Sequence, residues 1–77
     1  MNDGRRKGLH DVNEKLNEAI EALEVFLEEE QSYVENMPEN LQGSEKYELA
    51  ELAIGELEEA ISNIGEAVSN IDSAIGG

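Results

Sequence analysis

Apolar residues recur with heptad spacing along two long stretches of this 77-residue chain, and the pattern commits both to amphipathic helices. In the second stretch, Tyr47, Ile54, Ile61, Val68 and Ile75 share one heptad position. Ala50, Leu57, Ile64 and Ile71 fall three residues on, and Ala53, Ala60, Ala67 and Ala74 fill the position just before the first row. In the first stretch, Leu9, Leu16, Leu23, Glu30 and Met37 form one row and Val12, Ala19, Phe26 and Tyr33 the row three residues on, with Ile20, Leu27 and Val34 beside them. Stripes this wide belong to bundle helices rather than to a narrow two-stranded seam.

Proline pushes the residue before it out of the α region, so Pro38 sets the first helix boundary at Met37. The spacing predicts helices over 9–37 and 44–75, joined by a turn over 38–43, with Ser44 as cap. Residues 9–77 then make one helical-hairpin domain, and residues 1–8 a flexible basic arm. Gly76-Gly77 is expected to stop the second helix. The fold class is all-α: an antiparallel two-helix hairpin. One partner helix shields only part of so wide a stripe, so the expected assembly is a homodimer or higher oligomer, a four-helix bundle or coiled coil.

Charge restricts the function classes. Nineteen Asp/Glu stand against five Lys/Arg, a net charge of −14. Such a surface repels nucleic acid and anionic membranes, so neither is expected as a direct partner, and basic proteins and metal cations are electrostatically favoured. Without cysteine the chain makes no disulfide or thiolate metal site. No apolar run approaches the ~20 residues a bilayer requires, and no apolar region of a signal peptide follows Arg5-Arg6-Lys7, so a cytoplasmic location is expected.

No residue set carries catalysis, and no cofactor or metal is expected. Glu30 stands alone among the seam positions, and one carboxylate makes no metal site; its simplest role is to reach water along the helix edge. His10, with Glu14 one turn on, is an exposed residue near a helix start. The core and oligomer interface is assigned to Leu16, Leu23, Phe26, Leu27, Tyr33, Tyr47, Ile54, Leu57, Ile61, Ile64, Val68 and Ile71. Met37 and Leu41 are expected to close the hairpin end. Glu21, Glu24, Glu28, Glu51, Glu58 and Glu59 form a candidate partner-binding acidic face, whose carboxylates approximate phosphate spacing or simply keep the protein solvated. Arg5, Arg6 and Lys7 are candidate anion contacts. Gly55 and Gly65 each cost a helix about 1 kcal/mol; contact with another chain and simple tolerance both account for them.

The block Glu28-Glu29-Glu30-Gln31-Ser32-Tyr33, followed by Asn36-Met37-Pro38-Glu39-Asn40-Leu41-Gln42-Gly43-Ser44-Glu45-Lys46-Tyr47-Glu48, resembles small acidic hypothetical proteins of bacteriophages, prophages and bacterial mobile elements. In those proteins a Pro-Glu-Asn-Leu-Gln-x-Ser-Glu-(Arg/Lys)-Tyr-Glu junction joins two predicted helices. The resemblance covers nearly the whole chain. It implies a phage or mobile-element setting inside a host cell and assigns no activity. It favours a non-enzymatic protein that binds and inhibits or modulates a host protein, a defence protein among the candidates. A structural or assembly accessory is a second reading. A third is a small-nucleotide sponge, in which Arg5, Arg6 and Lys7 of neighbouring chains would gather round the anion.

Overall fold

A computed structural model describes residues 1–76. Helix α1 spans Asp3–Glu35, a short 3-10 turn spans Glu39–Leu41, and helix α2 spans Glu45–Gly76. The two helices pack antiparallel into a rod of 59 × 15 × 13 Å. The hairpin expectation therefore holds. The second helix keeps to its expected bounds within a residue at each end; Gly76 is its last turn rather than its stop, and Gly77 lies outside the described residues.

The first helix begins earlier than the apolar pattern suggests, and residues 3–8 belong to it rather than to an arm. The cause is local chemistry. Asn2 sits in extended backbone, and its side chain accepts a hydrogen bond from the Arg5 backbone N–H at 2.8 Å, while Asp3 places negative charge in the first turn. At the other end the backbone leaves the helix at Asn36, one residue before the position inferred from Pro38. The turn is then tied by short-range bonds from Leu41 to Pro38 and from Gln42 to Glu39. Gly43 takes a φ of +86°, which an L side chain would resist. The Ser44 Oγ accepts from the Tyr47 N–H at 3.3 Å and opens α2 as expected.

The seam is thin. Met37, Ala50 and Asn13 are the buried residues, and the other apolar seam residues remain half-buried. On α2 the half-buried residues are those of the Tyr47 and Ala50 rows, flanked by Ala53, Ala60 and Ala67 on one side and by Gly65 on the other. On α1 they are the Leu9 row up to Glu30 together with Arg6, Ile20, Leu27 and Val34, beside the buried Asn13 and Met37. The row Val12, Ala19, Phe26 and Tyr33 lies outside, with Phe26 59% and Tyr33 47% exposed. Core packing within the hairpin, expected for these two aromatics, is thus corrected. Three adjacent rows of α1 are apolar, and a single partner helix covers only two of them. Met37 closes the hairpin end as expected, whereas Leu41 beside it is 47% exposed.

Asn13 fixes the register. Its Nδ2 donates to the Asp72 carboxylate at 2.9 Å and to the Val68 carbonyl at 3.4 Å, while its buried Oδ1 has no partner. A polar residue in an otherwise apolar seam admits one alignment of the helices at some cost in stability. Arg6 sets the same offset nearer the end, donating from Nε to the Ile75 carbonyl at 3.2 Å. That bond meets one of the free carbonyls at the α2 C-terminus and places a cation where the helix dipole favours it.

Candidate interaction surface

The register divides the rod into two long faces of different chemistry. On one side the Asn13–Asp72 bond brings together the Asn13 row of α1 and the α2 row of Glu51, Glu58, Gly65 and Asp72. Next outward on α1 come Glu24 and then Glu14, Glu21, Glu28 and Glu35, all exposed. On the opposite side, Tyr33 and Lys46 line the same groove. Lys46 begins the alanine row of α2, so Val12, Ala19, Phe26 and Tyr33 run alongside Ala53, Ala60, Ala67 and Ala74. Lys15, Ala22, Glu29 and Asn36 border this strip on α1, and Leu49, Glu56, Asn63 and Asn70 border it on α2. Glu29 and Glu56 are the only acids among these residues, offset by Lys15 and Lys46. The strong negative charge of the chain therefore falls on the other face and the outer edges.

The six glutamates proposed as a partner-binding face are all exposed. Glu21, Glu24, Glu28, Glu51 and Glu58 share the acidic side, and Glu59 lies on its outer edge. Of the interface residues inferred from sequence, Leu16, Leu23, Leu27, Tyr47, Ile54, Leu57, Ile61, Ile64, Val68 and Ile71 line the seam half-buried. Phe26 and Tyr33 stand on the neutral face instead.

The three basic residues do not gather. Successive helical residues point about 100° apart, and the structure separates them accordingly. Arg5 and Lys7 are exposed, whereas Arg6 turns to the seam, held by Ile75 and by Asp3 at 3.3 Å. One chain thus offers no anion cradle at this end. His10 is exposed, and Glu30 is half-buried on the seam edge. Among the described residues no group of three or more His, Asp or Glu is placed to hold a metal, and no helix is long and apolar enough to cross a membrane.

Where the hairpin turns, the neutral face widens into an open groove of about 740 Å³. Tyr33, Met37, Pro38 and Leu41 supply its apolar walls, and Ser32, Asn36, Ser44, Glu45 and Lys46 its polar margin. Nearby, Tyr47 has its hydroxyl pKa raised, first by a hydrogen bond with Glu51, then by the charge of that carboxylate and by burial.

Two features were missed by sequence reasoning. Asn13 as register pin was visible as the polar residue that shares a row with Ile20, Leu27 and Val34. The Asn2 cap was visible as an Asn directly before an acidic residue. At Gly55 and Gly65 an added Cβ would meet nothing within 4 Å, so nothing in the hairpin requires a glycine at either place. Comparison with protein-family models, with curated proteins and with solved structures finds no match.

Proposed function

We propose that this chain is a non-enzymatic helical interaction protein that self-associates into a four-helix bundle and binds a basic protein through its acidic face. The observation that carries the reading is the separation of charge across the rod. A surface serving solubility alone gains nothing from gathering its carboxylates on one side; a surface that docks a cationic partner does. The half-buried seam supports the self-association, because two helices leave apolar stripes that a bundle would cover. With the phage or mobile-element setting implied by the Pro38–Glu48 junction, the partner is a host protein, and the effect of binding is to inhibit or modulate it in the host cytoplasm.

The test is capture of host proteins on the tagged chain at rising salt, repeated with Glu21, Glu24 and Glu28 all changed to Lys. The expected result is a basic partner, released by salt or by competing DNA, whose affinity for the triple variant falls about 100-fold. Equal capture by the triple variant at every salt concentration would contradict the reading. A structural or assembly accessory and a small-nucleotide sponge built from Arg5, Arg6 and Lys7 of neighbouring chains are the alternative readings.

A further inference from the structure

The neutral face combines exposed apolar residues with few charges. We propose that a second copy of this chain docks there with its turn at the opposite end, related by a twofold axis crossing the rod near Ala22 and Asn63. This rests on the self-association reading above and specifies the face and the orientation.

Three observations lead to it. The chain exposes 5633 Å², whereas a compact monomer of 8.5 kDa exposes roughly 4,700 Å². The excess is comparable with the ~800 Å² each partner contributes to a standard interface. A 59 × 15 Å face has an outline of about 900 Å², enough to supply that area. Two chains of charge −14 approach most easily where their carboxylates are fewest, and the neutral face, whose Glu29 and Glu56 are offset by Lys15 and Lys46, meets that condition.

Orientation follows from the few charges this face holds. The contacts of Arg6 with Ile75 and of Asn13 with Val68 and Asp72 place Glu29 level with Glu56, and Ala22 level with Ser62 and Asn63. If two hairpins stacked with their turns together, α1 would lie over the second copy's α2, setting Glu29 on Glu56 twice. With the turns apart, α1 lies over the second α1. Lys15 then faces the second copy's Glu29, and the pair recurs through the axis. The same operation sets Phe26 over Ala19, large on small, and Tyr33 over Val12. On α2, alanine meets alanine: Ala60 over Ala67 and Ala53 over Ala74. The groove at the turn is covered by the second copy's first helical turns, where Gly8 has no neighbour within 4 Å of an added Cβ and so leaves room. Both acidic faces point outward, giving the dimer two identical docking surfaces.

The chain has no cysteine, so Asn40→Cys gives a single labelling site in the exposed turn. A nitroxide there, measured by pulsed dipolar spectroscopy on the full chain, is expected about 54 Å from its mate. Turns together would bring the labels within roughly 25 Å. In sedimentation equilibrium, Lys15→Glu and Glu29→Lys should each weaken the dimer about tenfold, and the two together should restore it to within about threefold. A dimer with the short distance, or a double variant that fails to recover, overturns this orientation and leaves self-association standing. A monomer at millimolar concentration overturns both.

Discussion

The two long faces of this rod are built from the same helices yet answer to different demands. On the acidic face, side chains such as Glu21, Glu28 and Glu58 stand exposed to water, and Glu51 meets the Tyr47 hydroxyl. On the neutral face, Phe26, Tyr33 and Leu49 are exposed as well, and there exposure leaves apolar surface wet. Fractional exposure alone does not separate a finished surface from an unfinished one; the chemistry of what is exposed does. The difference between the faces arises from register, because a slip of one helix past the other would mix the rows.

The seam that holds the faces apart is the first place to break the comparison. Leu57 lines it, whereas Leu52 stands 66% exposed on the outer edge of the same helix. Leu57→Asp sets an unpaired charge in the seam and is expected to cost about 3 kcal/mol or more, enough to unfold a domain this small. Leu52→Asp should change stability by less than about 0.5 kcal/mol. Urea denaturation followed by circular dichroism reads both.

A smaller effect comes from the polar members of the α1 seam. Glu30→Leu should stabilise the hairpin by about 1 kcal/mol by extending the apolar row. Asn13→Leu should do the same while removing the bonds to Asp72 and Val68 that select one register. The sharper readout there is the amide spectrum: one set of resonances for Glu30→Leu, and extra sets from slipped alignments for Asn13→Leu.

These positions also show what could be read before the structure. The α2 seam was legible because its rows hold Ile, Leu and Val, with alanine filling the flank, so one phase stands out. The α1 seam was only half legible. Periodicity identifies rows but not which two of three apolar rows face the partner, and that choice depends on where α2 lies. The start of α1 was misplaced because the apolar pattern fades before Leu9, while the helix is set there by the Asn2 cap and the reach of Arg6 to Ile75. Glu21, Glu24, Glu28, Glu51 and Glu58 fall on one side of the rod because they follow the heptads of the two helices; the contrast with a neutral face needed the antiparallel register.

Gly55 and Gly65 test the acidic face by a different route. Nothing in the hairpin crowds an added methyl at either, so Gly55→Ala and Gly65→Ala should each raise stability by about 1 kcal/mol, visible as a higher urea midpoint with unchanged slope. If either variant also weakens partner binding, the acidic side approaches its partner closely enough to need a glycine.

The smallest effect is at high pH. The Glu51 carboxylate disfavours the Tyr47 phenolate in the folded chain, so the unfolded chain ionises first. Stability should therefore decline as pH rises through about 10 and level off above the raised folded value. Tyr47→Phe should remove that part of the decline, which the difference between the two urea midpoints across the pH range reports.

The central claim, that the neutral face is where chains meet, is tested most directly by two neighbours of nearly equal exposure. Phe26 is 59% exposed on the neutral face and Val25 54% exposed on the outer edge of α1. Sedimentation equilibrium of Phe26→Asp and Val25→Asp compares them in one experiment. A dimer is expected for Val25→Asp and a monomer for Phe26→Asp, with unchanged helicity in both. Equal masses for the two variants would contradict a meeting of chains on the neutral face.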